Sequence, residues 1–95
     1  MVVGVCQIDI LIHGSESLKA KRRVLRSLKD NIKNRFNASV AEVGDHDLWQ
    51  RSLMGIVIVG VEKPVVNSVL DKLLNFLDTI SDIEVVSSEV EFINY

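Results

Sequence analysis

Between Val2 and Ile12 the chain alternates with a period of two. Val2, Gly4, Cys6, Ile8, Ile10 and Ile12 are all apolar or small, whereas the intervening Val3, Val5, Gln7, Asp9 and Leu11 are mixed. This alternation in a segment rich in β-branched residues predicts a first strand whose uniformly apolar face packs inward. His13-Gly14-Ser15 breaks the run, and Ser15 or Ser17 is positioned to cap a helix. Leu18, Leu25, Leu28, Ile32 and Phe36 then recur at helical spacing, which predicts an amphipathic helix over Leu18 to Phe36. Asn37 is a stop. Ala38 to Val43 reads as a short second strand, ended by the turn cluster Gly44-Asp45-His46-Asp47. Leu53 to Val61 is apolar on both faces, as expected of a central strand. Pro64 suits the first turn of a second helix, along which Val66, Val69, Leu70, Leu73, Leu77 and Ile80 form the apolar stripe. Ile83 to Tyr95 reads as the last strand, with Val86, Val90 and Phe92 on one face and Glu89 and Glu91 on the other.

The order β-α-β-β-α-β predicts an α+β fold, the ferredoxin-like sandwich, in which two helices cover one face of a four-stranded antiparallel sheet. Strands 1 and 3 are then central and the second face of the sheet stays open. It shows Val3 and Val5 beside either Leu53, Val57, Val59 and Val61 or Met54, Ile56 and Ile58, and both sets are apolar. Monomers rarely leave such a patch in water, so a homodimer through the open sheet face is expected, with crossing loops or the C-terminal tail as the alternative cover.

A chain of 95 residues, 47% apolar, holds one two-layer core, so residues 1–95 are read as a single domain. The longest apolar run, Met54 to Val61, is interrupted by Gly55 and Gly60 and is far short of the roughly 20 residues that cross a bilayer. The first residues lack a basic segment and meet Asp9 early, which argues against a secretory signal and for a cytoplasmic address. The lone Cys6 excludes an internal disulfide and a multi-cysteine metal site within one chain.

Charge changes this picture. The totals, 11 basic and 13 acidic residues, are nearly balanced. Yet Lys19, Lys21, Arg22, Arg23, Arg26, Lys29, Lys33 and Arg35 place eight of those 11 basic residues in helix 1, against the single acid Asp30. That segment carries +7 and the remainder −9. At about 100° per residue, Lys19, Arg22, Arg23, Arg26, Lys29 and Lys33 fall in one arc beside the apolar stripe, a ridge able to neutralise several phosphates. Solvated helix faces usually interleave both signs; this one does not. Lys21 falls inside the stripe, and must snorkel to the helix edge or reach a buried acceptor.

Candidate chemistry is sparse. Phe36, Trp49, Phe76, Phe92 and Tyr95 all lie outside strands 1 and 3, so base stacking on the sheet is not expected and nucleic-acid binding would be led by the backbone. His13, His46, Asp9, Asp45 and Asp47 match no metal-ligand spacing, and the chain has no phosphate-binding loop or dinucleotide fingerprint. Cys6 occupies an inward strand position, which suits core packing better than nucleophilic attack. No catalytic residue, metal or cofactor is expected. Glu42, Trp49, Gln50 and Arg51 bring polar and aromatic groups together and form a second candidate surface. A small acidic ligand between Arg51, His46, Glu42 and Trp49 is the weakest reading, because no nucleophile and base stand together.

Three ordered segments carry a resemblance: Ser17-Leu18-Lys19-Ala20-Lys21-Arg22, Arg35-Phe36-Asn37-Ala38-Ser39-Val40-Ala41-Glu42-Val43 and Asp47-Leu48-Trp49-Gln50-Arg51. In these the chain resembles the YlxP-like family, small bacterial proteins of unknown function, over nearly its whole length. The resemblance implies a ferredoxin-like fold. Genes of that family often lie among those for translation factors and ribosome maturation, which implies a ribosomal or other RNA partner. It supplies no catalytic residues. The matching positions Lys19, Lys21, Arg22, Arg35, Asn37, Ser39, Glu42, Trp49, Gln50 and Arg51 are candidates for whatever the family does. The expected function is therefore binding of structured RNA through Lys19, Lys21, Arg22, Arg23, Arg26, Lys29 and Lys33. The alternative is a homodimeric protein-interaction module without a nucleic-acid partner.

Overall fold

The computed structural model describes residues 1–95 and contains the six elements in the expected order: β1 (Val2–Ile12), α1 (Leu18–Arg35), β2 (Ser39–Gly44), β3 (Arg51–Gly60), α2 (Lys63–Leu77) and β4 (Ile83–Asn94). The sheet order is β2-β3-β1-β4 with every neighbour antiparallel, the ferredoxin-like arrangement, and β1 and β3 are its central strands. Alternation in β1 decides the inward face: Val2, Cys6, Ile8, Ile10 and Ile12 are buried beneath the helices. Register then selects the β3 face. Ile8 pairs with Met54, Cys6 with Ile56 and Gly4 with Ile58, so Met54, Ile56 and Ile58 turn inward and Leu53, Val57 and Val59 line the open face.

Both helices pack by the stripes read from the sequence. Leu25, Leu28 and Ile32 of α1 and Val66, Leu70, Leu73 and Leu77 of α2 join the core. The Ser17 hydroxyl accepts a 3.0 Å hydrogen bond from the Ala20 amide, which makes Ser17 the cap. Ser15 is instead buried, with its hydroxyl donating to the Ser17 carbonyl. Gly4 lets α2 approach the sheet closely: a Cβ there would stand 2.5 Å from Val66 Cγ1.

Several boundaries differ from the sequence reading. β2 begins and ends one residue later, and β3 starts at Arg51, because ladder pairing with β1 reaches Leu11 and Arg51. Val61 lies beyond β3 and is almost wholly exposed. α1 ends at Arg35, with Phe36 already extended. α2 ends at Leu77. Thr79 and Ile80 then bond the Phe76 and Leu77 carbonyls in tighter three-residue turns. The register of β4 shifts between Asp9 and Ile10, so Asp9 pairs with Ser87 and Ile10 with Val85. Val86 is the extra residue of that bulge, and this breaks the face it was expected to share with Val90 and Phe92.

Candidate nucleic-acid interface

Because α1 buries Leu25, Leu28 and Ile32, the arc carrying Lys19, Arg22, Arg23, Arg26 and Lys33 is exposed, with Lys29 half-buried at its margin. Lys19, Arg22, Arg23 and Arg26 border a shallow trough of about 440 Å³ without any apolar side chain. None of these six cations forms an ion pair; the ion pairs of the fold belong to Lys21, His46 and Arg51. A row of unpaired cations on a rigid helix raises the local potential and attracts polyanions. At the end of the ridge Arg35 is turned away, its guanidinium 4.3 Å from the Phe76 ring centre in α2.

Lys21 is not part of this surface. Its side chain is only 2% exposed, and the ammonium lies 2.9 Å from Glu42 Oε2. It donates to the Asp45 carbonyl at 2.6 Å and makes a long contact with the His46 carbonyl at 3.5 Å. Of the two outcomes foreseen for a lysine in the apolar stripe, the structure takes the buried acceptor. A phosphate cannot reach an ammonium buried against the sheet, so Lys21 leaves the set of expected RNA contacts.

Glu42 ties the β2–β3 turn together. It points inward from β2, accepts from the Ser52 hydroxyl and pairs with Lys21 through Oε2, and meets His46 Nδ1 at 2.9 Å through Oε1. Burial pushes its pKa up, but the hydrogen bonds from Ser52, Lys21 and His46 and the Lys21 charge outweigh that and bring it down to about 2. Asp45, whose carbonyl Lys21 holds, adopts a left-handed φ of 59°. Asp tolerates that region better than most residues. Ser52 is fully buried and was not singled out from sequence. Its signal was a polar residue at an inward position of an otherwise apolar strand.

The second candidate surface is split. Arg51 pairs with Asp9 at 2.9 Å on the open face, whereas Glu42 and His46 lie on the helix side. The small-ligand reading that joined Glu42, His46, Trp49 and Arg51 therefore has no common site. Trp49 is 53% exposed, and with Asp47, Leu48, Gln50 and Arg51 it lines a hollow of about 430 Å³. Gln50 donates to the Ser15 carbonyl at 3.3 Å, which fastens this loop to the start of α1. Cys6 is fully buried and burial raises its thiol pKa, as suits a core residue. No helix is long and apolar enough to cross a membrane.

Residues 3–90 match the model of a family described as a protein of unknown function (DUF503). The uncharacterised protein YlxP of Bacillus subtilis (strain 168) is 32% identical over 91 residues, which covers 96% of this chain and 99% of that protein. The chain belongs to the DUF503, YlxP-like family. Membership agrees with the resemblance carried by the three segments that begin at Ser17, Arg35 and Asp47. The match takes in β1, both helices, β2, β3 and most of β4, so the α1 ridge, the Lys21–Glu42 pair and the Trp49 loop all lie within the shared domain.

Proposed function

We propose that this YlxP-like protein is a cytoplasmic binding protein rather than an enzyme, and that α1 docks on structured or ribosomal RNA in translation or ribosome maturation. The observation that carries the reading is the row Lys19, Arg22, Arg23, Arg26, Lys29 and Lys33, six cations on one flank of a rigid helix with no acidic partner. Each phosphate neutralised releases counterions, so log affinity falls with log salt at a slope of about −0.7 to −0.9 per contact. Four to six contacts then give an overall slope of roughly −3 to −5. With few exposed aromatic groups, such binding depends on backbone shape more than base identity.

The test is a salt titration with a ribosomal RNA hairpin, comparing the native protein with the triple variant Arg22→Gln, Arg26→Gln, Lys33→Gln. All three side chains are exposed, so folding should be unaffected. The slope should flatten by about two to three and the affinity collapse at low salt. An affinity indifferent to both salt and the substitutions ends the proposal.

A second copy covering the open sheet face is supported by a separate observation. Val57, Val59 and Ile93 are each more than a third exposed there and adjoin Val3 and Val5 across the ladders, and the exposed Val43 lies beside Gly55 of β3. Light scattering at micromolar concentration should give a dimer, and Val57→Asp with Val59→Asp should give a monomer that keeps its circular dichroism. A monomeric native protein refutes this part. RNA retention by the monomeric variant would separate dimerisation from the ridge.

A further inference from the structure

β2 is an edge strand with one side paired to β3 and the other open, so its outer amides and carbonyls form a row without strand partners. Sheet edges are usually protected by charge, proline, bulges or inward-pointing charged residues. The β4 edge carries Glu84, Glu89 and Glu91; in β2 the inward Glu42 and the bulge at Val43 guard only the far end, which leaves Ser39 to Ala41 without a protecting device.

The position of the basic ridge relative to this edge follows from the packing of α1. That helix packs over β2, whereas α2 packs over β1, β3 and β4. Arg35 stacks on Phe76 of α2, which identifies the flank of α1 that faces its neighbour. At about 100° per residue, Arg35 lies on one side of the buried stripe, and Lys29, Arg22, Lys33 and Arg26 lie about 70° to 130° to the other. The ridge therefore overhangs the unpaired edge of β2. On the opposite side of the same edge are two small depressions. One, about 210 Å³, lies between Ala41, Val43 and Gly55, and the other, about 230 Å³, between Asn37, Ser39 and Val59.

We infer that the β2 edge receives an extended acidic peptide segment of a partner protein as a fifth strand. Successive side chains of a strand point to opposite faces, so such a segment presents alternate residues to the ridge and the others to the depressions. Asp or Glu at alternate positions meets Arg22, Arg26, Lys29 and Lys33. Small apolar side chains at the intervening positions enter the two hollows. Backbone hydrogen bonds to β2 supply affinity that does not depend on the partner's exact sequence. This goes beyond the RNA reading and does not depend on it, since RNA has no strand to pair and would engage the ridge alone; it competes with a second copy for Val43, Val57 and Val59, so peptide binding displaces that copy from the hollows.

The test uses the full chain, 15N-labelled, and a capped peptide of alternating Glu and Val. Two control peptides are N-methylated, one at every Glu and the other at every Val. Expected are slowed hydrogen exchange at outer amides of Ser39–Gly44 and a loss of affinity of about tenfold or more for one of the two N-methylated peptides. The double variant Arg22→Glu, Arg26→Glu should weaken binding at least as much. The milder pair Arg22→Gln, Arg26→Gln serves if the reversal disturbs folding. Absence of binding overturns the inference, as does equal affinity for all three peptides with shifts confined to α1. An RNA hairpin that protects the same β2 amides would assign the edge to nucleic acid and overturn it too. Peptide failure with salt-dependent RNA binding intact removes this inference and leaves the RNA reading standing.

Discussion

Replacing Lys21 by Met removes a buried ammonium while keeping most of its aliphatic stem. Three interactions disappear: the 2.9 Å pair with Glu42, the 2.6 Å hydrogen bond to the Asp45 carbonyl and the long contact with the His46 carbonyl. Breaking a buried pair from one side typically costs about 3–5 kcal/mol, because the remaining charge is stranded. Here Glu42 keeps the Ser52 hydroxyl and His46, and its side chain is 19% exposed, so water shares the load. The expected cost is about 2–4 kcal/mol. In a domain of this size each kcal/mol lowers Tm by about 4–8 °C, so a fall on the order of 8–30 °C should appear in calorimetry. The double variant Lys21→Met, Glu42→Leu should recover part of the loss, since it strands no charge. RNA affinity measured below the transition should stay within about twofold of native, because Lys21 offers no phosphate contact. A cost below about 0.5 kcal/mol, or a recovery no better than additive, would refute the view that this ammonium organises the β2–β3 turn.

Further outcomes follow from the same contacts. Glu42 has its pKa lowered from 4.5 to about 2, so its contribution is present above pH 4.5 and is lost as pH falls towards 2. The stability difference between native and Glu42→Gln protein, measured by urea denaturation, should therefore shrink across that window; a pH-independent difference contradicts the ion-pair account. Gly4→Ala sets a Cβ 2.5 Å from Val66 Cγ1 and should destabilise by about 1–3 kcal/mol, with Val66→Ala restoring part of it. Ser17→Ala should cost about 1 kcal/mol through loss of the α1 cap, read from the shift in the urea midpoint. Trp49→Ala should leave Tm within about 1 °C, since Trp49 lies outside the core; a large fall would place Trp49 in the packing.

Local pattern was enough for much of the molecule. The period-two face of β1, the stripes of both helices and the presence of a serine cap are each written within a few neighbouring residues, where steric and hydrophobic preferences act directly. The charge split was likewise legible, because eight cations of α1 are contiguous in sequence and a helix gathers them on one flank. Lys21 shows the limit. Its helical position announced a conflict between a charged head and an apolar stripe, but the resolution came from Glu42 and Asp45, more than twenty residues away. The grouping of Glu42 with Arg51 failed for the opposite reason. They are near in sequence, yet adjacent strands turned them to different sides of the sheet.

The sequence alone determined the order of elements and the polarity of charge, since each depends on composition or on periodicity within one segment, and its three ordered motifs carried the resemblance to the family. Tertiary structure alone decided which of two apolar faces of β3 is buried, where Lys21 finds its partners, and that the α1 ridge overhangs the open edge of β2. Those outcomes depend on strand register and helix placement. They are set by packing between segments distant in the chain, and no local period encodes them.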